Sequence, residues 1–308
     1  MDRKRCLVAW WGALARGGET IGDLYAVIRA CRLAQEAGYE VNLATSVTYR
    51  ELRGFACVGW DTLMPAEVDL LMFVCGPLIG ESAAFTALTD RYAGVPSVAA
   101  GVSVLTAADG TVWNPFDVTL ARDGVDPGFG DLAGFRPRTP QVTQEVRRIG
   151  LCLRNAQREY GEAASLHGAA AELARSATDR FAASVVELDT RLHGRVEEAE
   201  AIERAFAAVD MVITTRMHGA LLALAMGKPT LVIDQVRNGA KVSAVVGGLG
   251  WPVLPAGVAT DADVGEQLHQ LSGTGAPRRI AGFQRRAAGR LSVAEAKLLD
   301  VLRQFRAA

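Results

Sequence analysis

Residues 210–229 read DMVITTRMHGALLALAMGKP, and this stretch decides how the rest of the chain is interpreted. Positions 211–213 form a short apolar run of strand type. Thr214 and Thr215 are residue types that cap helices, and the Ala/Leu-rich run at 219–226 has the pattern of a buried helix. Arg216 and His218 therefore fall at a strand-to-helix turn. In an open parallel sheet such a turn lies at the carboxyl edge, where ligands collect, and the unpaired N–H groups of the helix start favour an anion. A guanidinium grips a carboxylate or phosphate through two parallel hydrogen bonds, and an imidazole moves protons near neutral pH. The structural alternative is an arginine in an interdomain ion pair and a histidine satisfied by a backbone carbonyl.

Outward from this turn, strand-like and helix-like runs alternate along the whole chain, which is the grammar of parallel sheets with crossover helices. In the first half the strands are read at 6–11, 40–45, 70–74, 97–104 and 118–121, with helices at 22–38 and 83–92. Residues 124–140, GVDPGFGDLAGFRPRTP, have no periodicity and read as a link. The second half gives strands at 148–153, 184–188, 211–213, 230–233 and 251–254, with helices at 164–182 and 197–208, the one after Arg216, and one from about 240. At 308 residues two domains are the better expectation. The expected fold is α/β, two Rossmann-like doubly wound domains facing a cleft. The first spans 1–140 on the acceptor side and the second 141–290 on the donor side. A terminal helix within 291–308, with Leu298, Val301, Leu302 and Phe305 on one face, is expected to pack back on the first domain.

Composition excludes several classes. Lys plus Arg number 33 against 34 Asp plus Glu, so no global basic field recommends nucleic acid or an anionic membrane surface, and any anion recognition must be local. Five scattered cysteines without a C-x-x-C pair suggest neither a disulfide framework nor a zinc site, and no His or carboxylate cluster demands a metal. No run approaches the roughly 20 apolar residues that span a bilayer. The expectation is a cytoplasmic, bacterial protein without stable membrane insertion; homo-oligomerisation is left open.

Other turns at expected sheet ends carry polar residues. The first, 12–23, is GALARGGETIGD. Gly17, Gly18 and Gly22 let backbone approach a ligand, while Glu19 and Asp23 could orient or deprotonate a hydroxyl, although an acid in a first helical turn is also good capping chemistry. After the strand at 70–74 comes Cys75-Gly76-Pro77, where Pro77 removes an N–H donor and Cys75 reads as a buried, inert thiol. Arg154 ends the strand at 148–153. Arg122-Asp123 ends that at 118–121, where a structural ion pair is as good a reading. Lys241 opens the helix after Asp234-Gln235, where a cation opposes the helix dipole and so suggests an anionic partner.

These motifs resemble the polysaccharide pyruvyltransferase family, in which a strand ends in (S/T)R-apolar-HG, followed by an Ala/Leu-rich helix, a G-x-P turn and another strand. Here the parts are Thr215-Arg216-Met217-His218-Gly219, the helix through Met226, Gly227-Lys228-Pro229 and the strand at 230–233, with Lys241 and Gly247-Gly248-Leu249-Gly250 downstream. The chain departs from the family at the first turn, where Gly22-Asp23 matches but the Asn is absent and Leu24 replaces an acid. A second departure is Cys75-Gly76-Pro77 in place of a glycine run. The resemblance implies a glycosyltransferase B-type architecture and transfer of a pyruvyl group from phosphoenolpyruvate, as donor substrate, to a hydroxyl pair on a sugar-containing acceptor. No separate cofactor is implied. It further implies that Arg216, Arg154, Lys241 and Gly219 hold the donor and His218 supplies a proton, with Asp23 as base beside Gly17, Gly18, Glu19 and Gly22 on the acceptor. Two alternatives stay open: a B-type glycosyltransferase whose ribose and pyrophosphate contacts would be Asp234 and Gly247-Gly248, and a non-catalytic member that binds an anionic metabolite.

Overall fold

The computed structural model describes residues 3–14, 18–46, 50–80, 82–106, 110–124, 128–143, 145–156 and 160–308. They group into two compact units, one made of 1–134 with 191–196 and 290–308, the other of 135–190 with 197–289.

The first unit is built on a seven-stranded sheet of order β3-β4-β2-β1-β5-β6-β7. Its strands are β1 (Arg5–Trp10), β2 (Glu40–Ala44), β3 (Glu51–Leu52), β4 (Phe55–Val58), β5 (Leu70–Val74), β6 (Ser97–Ser103) and β7 (Val118–Asp123). All pairs are parallel except the β3–β4 hairpin, which turns through Arg53 and Gly54, both at positive φ. β5 is buried at all five positions and β6 at all seven, as expected of strands covered on both faces. The short α1 (Trp11–Leu14) follows β1, and α2 (Ile21–Glu36) starts at a capping box in which Thr20 and Asp23 satisfy each other's backbone N–H groups. α3 (Ala83–Arg91) crosses from β5 to β6.

Because β1 lies between β2 and β5, successive strands are added first on one side of β1 and then on the other, and the carboxyl ends of β1 and β5 mark the switch point of this sheet. Trp11 fills that place. Its indole Nε1 donates to Pro77 O at 3.2 Å, and a Cβ at Gly76, whose φ is +74°, would come within 1.9 Å of the indole Cδ1. The N–H groups of Cys75 and Leu78 donate to Ala100 O and Ser103 O of β6. The Cys75-Gly76-Pro77 turn is therefore a packed junction, with the amides of Cys75 and of Leu78 just after it spent on sheet bonding. Cys75 itself is 1% exposed, and burial, with Asp23 and Asp131 adding to it, pushes its thiol well above the usual range.

The second unit holds five parallel strands in the order β12-β11-β10-β8-β9. They are β8 (Arg148–Cys152), β9 (Ser184–Glu187), β10 (Met211–Thr214), β11 (Thr230–Asp234) and β12 (Val253–Pro255). The helices are α4 (His167–Thr178), α5 (Ala199–Ala207), α6 (Met217–Ala225) and α7 (Asp261–Ser272), and Ser243–Gly247 form a π-helical turn. All nine residues of α6 are buried, so it is a core helix, apolar except for His218. The last helix, α8 (Ala276–Ala307), is far longer than the terminal helix expected within 291–308. It contributes Ile280 and Phe283 to the second unit's core and Ala294, Leu298 and Leu302 to the first unit. In the first unit Arg29 pairs with Glu295 and donates to Leu132 O and Gly134 O.

Candidate functional site at the carboxyl edge of the second sheet

β8 sits between β9 and β10, so the second sheet has its own switch point at the carboxyl ends of β8 and β10. The sequence reading places Arg216 and Arg154 there, and the strand order brings them to that point. The helix begins two residues earlier than its composition suggested. Met217 is the first helical residue, Arg216 is the N-cap without a side-chain cap, and His218 and Gly219 lie in the first turn. Thr214 and Thr215 are not caps. The Thr214 hydroxyl donates to Cys152 O at 2.8 Å and accepts the Arg216 N–H at 3.0 Å, while the Thr215 hydroxyl accepts the Arg154 N–H at 2.8 Å. These bonds stitch β8 to β10 and set the height of both arginines.

The Arg216 guanidinium is held in place. Nε donates to Leu153 O at 3.0 Å, and a terminal nitrogen lies 3.4 Å from Asp189 Oδ1, with the side chain 13% exposed. Asp189 follows β9, so the guanidinium is anchored to groups at the ends of β8 and β9 while it stands on β10. The ion pair lies within one unit and is not the interdomain bridge of the structural alternative. Asp189 went unnoticed in the sequence, where the strand-ending acid of SVVELD was the available signal. His218 is 7% exposed in the first turn of α6. Gly219 is required by packing, since a Cβ there would stand 2.7 Å from Thr214 Oγ1 and 3.1 Å from Cys152 Sγ.

Asp234 ends β11 fully buried, and its carboxylate is committed: Oδ1 accepts from Val236 N, and Oδ2 from Ala240 N, Ser243 N and Ser243 Oγ. It folds back the loop that carries Lys241, whose ammonium lies 5.8 Å from the Tyr160 ring centroid. We expect Asp234→Ala to cost about 1–3 kcal/mol or more, the scale for leaving buried donors unsatisfied. Denaturant melts of the two proteins would measure the loss. Unchanged stability would remove Asp234 from this role.

Burial pushes the Cys152 thiol up to about 11, with Arg216 and the Thr214 hydroxyl opposing the shift. The folded state thus holds this proton to higher pH than the unfolded chain, whose reference is 9.0. Its stabilisation is complete below pH 9 and is lost as pH rises through 11, a change of about 2–3 kcal/mol for two pH units. Urea melts at pH 8.5 and 11 should show this loss in the wild type and a smaller one in Cys152→Ala.

In the first unit the turn before α2 divides its candidates. Gly17 lies outside the described residues. Gly18 is exposed, with nothing within 4 Å of a Cβ position, and Gly22 is buried in α2. Asp23 Oδ2 accepts from Thr20 N at 2.9 Å and Thr20 Oγ1 at 2.8 Å, which is the capping role. Glu19 is 4% exposed, and its Oε1 accepts from Gly194 N at 2.7 Å. Arg122 lies in a buried network with Asp131, Asp123 and Ser103, the structural ion pair. Among the described residues no group of three His, Cys, Asp or Glu could hold a metal, and no helix is long and apolar enough to cross a membrane.

Residues 178–235 match the family model described as Polysaccharide pyruvyl transferase, a span that includes Arg216, His218, Asp189 and Asp234 but not Arg154 or Lys241. No curated protein matches the chain. Among solved structures, the spinosyn rhamnosyltransferase SpnG complexed with spinosyn aglycone is similar with TM-score 0.51 and 13% identity, over 94% of this chain and 98% of that one. MnaA of S. aureus, in a co-structure with UDP, gives 0.53 and 10%, over 96% and 94%. The glycotransferase of kitacinnamycin gives 0.52 and 13%, over 99% and 100%. At these identities the likeness shows the fold, the α/β architecture of two doubly wound units found in B-type glycosyltransferases. The segment that matches the polysaccharide pyruvyl transferase family model, residues 178–235, carries the Arg216 turn.

Proposed function

We propose that the protein transfers a pyruvyl group from phosphoenolpyruvate to a pair of hydroxyls on a sugar-containing acceptor, releasing phosphate. The observation that carries this reading is the Arg216 guanidinium, anchored at the switch point of the second sheet beside the first turn of α6. An anion there meets a fixed positive charge and the partial positive charge of a helix start. Arg154 and Lys241 share this carboxyl edge and complete the grip on a donor that carries both carboxylate and phosphate. His218 gives a proton to the methylene carbon of the enol. One acceptor oxygen bonds to the adjacent carbon as the phosphate ester bond breaks, and the second oxygen then closes the ketal. Of the two hydroxyl protons lost, one balances the new methyl group and the other the phosphate. Holding the charged groups still while cationic character develops is positioning and electrostatic catalysis.

A nucleotide-sugar donor is less well served. Its ribose would need Asp234, whose carboxylate already accepts four internal hydrogen bonds. Its pyrophosphate would need Gly247-Gly248, yet a Cβ at Gly248 would lie 2.3 Å from Ala244 O, so that glycine serves the packing of the π-helical turn. The deciding experiment incubates the full-length protein with phosphoenolpyruvate and a panel of hexose-containing acceptors, following phosphate release and the new ketal methyl by NMR. Acceptor-dependent release with a ketal product is expected. Turnover of nucleotide sugars alone would overturn the proposal.

A further inference from the structure

Glu19 closes the connection between β1 and α2, at the carboxyl end of the strand that forms the first unit's switch point. The segment 191–196 pins it on three sides. Glu19 O accepts from Leu192 N at 3.0 Å, Oε1 accepts from Gly194 N at 2.7 Å, and the neighbouring Thr20 pairs with Arg191 in an isolated antiparallel bridge. The carboxylate is thus rigidly placed and only 4% exposed, yet its second oxygen, Oε2, is buried without any hydrogen-bond partner. Burying an unsatisfied oxygen of a charged group is costly, and each such group in a native structure calls for an explanation, a functional role among them.

An ionised carboxylate only accepts hydrogen bonds, so what completes Oε2 must be a donor. A phosphate or carboxylate ligand would repel it, and the described residues offer no acidic or thiol cluster for a metal. The residue before it, Gly18, is exposed, and a Cβ there would meet no atom within 4 Å apart from its chain neighbours. Of the other carboxylates at this edge, Asp23 is held in the capping box and Asp131 by Arg122 and Ala133 N, while Asp123 Oδ1, also without a hydrogen bond, lies 3.5 Å from the Arg122 guanidinium; Glu19 Oε2 has no such cation beside it among the described residues. We infer that Glu19 Oε2 binds a hydroxyl of a sugar, which makes Glu19, in place of Asp23, the carboxylate that meets the acceptor. This inference rests on the pyruvyl-transfer reading for the identity of the hydroxyl as an acceptor's, but the binding itself is testable without turnover.

The test uses the methyl glycosides of glucose, galactose and mannose as probes, with affinities from saturation-transfer NMR on the full-length protein. Phosphoenolpyruvate is titrated separately by calorimetry. At least one glycoside should bind the wild type, and Glu19→Gln should weaken it by about 10- to 100-fold, as expected for losing a hydrogen bond to a charged group. Arg29→Ala disturbs the same unit through Glu295, Leu132 and Gly134 without touching Glu19. It should lower the melting temperature and keep glycoside affinity, so that lost binding in Glu19→Gln is not mistaken for lost stability. Should Glu19→Gln fail to fold, Gly18→Leu decides, because Gly18 is exposed and directly precedes Glu19, so a bulky side chain there is expected to hinder a ligand that reaches Glu19. No glycoside bound by the wild type, or equal affinity in the folded Glu19 and Gly18 variants, overturns the inference. Glycoside binding that depends on Glu19 in a protein that ignores phosphoenolpyruvate would sustain it and sink the pyruvyl-transfer reading. Phosphoenolpyruvate binding with Glu19-independent glycoside binding does the reverse.

Discussion

Arg216→Ala is expected to weaken phosphoenolpyruvate binding by about 100-fold, the upper range for a charge-assisted pair of hydrogen bonds. Stability should change by less than about 1 kcal/mol, because Asp189 is one-third exposed and keeps its hydration when the ion pair goes. Affinity and stability therefore separate, and that distinguishes a ligand residue from a structural one. Arg216→Lys restores the charge but not the planar fork, so its affinity should fall between the two. Calorimetry and thermal melts on the three proteins check this. Equal affinity in wild type and Arg216→Ala would leave the β8–β10 switch point without its proposed ligand.

His218→Gln should lower turnover by about 10²–10⁴-fold, the usual contribution of a positioned proton donor, while donor affinity changes only a few-fold. Glutamine fits a similar volume in the buried first turn of α6, so the fold should persist. Phosphate release under saturating phosphoenolpyruvate and acceptor measures the effect. Near wild-type turnover would assign His218 to the core alone.

The Arg216 turn was legible because its signals are local: a short apolar run, a polar turn and an all-apolar helix follow one another within about twenty residues. The error in the helix start is also local. Thr214 and Thr215 look like caps, but their hydroxyls serve β8, at Cys152 O and Arg154 N, which no reading of adjacent residues reveals. Strand order is the larger gap. Asp189 reaches Arg216 only because β9 and β10 flank β8, and Glu19 is buried only because 191–196 folds against it. The β3–β4 hairpin escaped notice because its turn, Arg53-Gly54, puts a non-glycine residue at positive φ and so lacks the usual Asn-Gly or Asp-Gly signal. Gly282 and Gly289 argue against a helix by about 1 kcal/mol each, yet α8 continues through both, held by core residues on either side. The capping box at Thr260 and Asp263 that opens α7 is, by contrast, a local signal.

The most direct test of the account is a crystal structure of the full-length protein with phosphoenolpyruvate. The account predicts the donor at the carboxyl ends of β8 and β10, with its carboxylate or phosphate oxygens on the Arg216 guanidinium at about 2.7–2.9 Å, the spacing of charge-assisted hydrogen bonds, and His218 beside its methylene carbon. Phosphoenolpyruvate bound elsewhere, with Arg216 engaged only by Asp189 and Leu153, would contradict it.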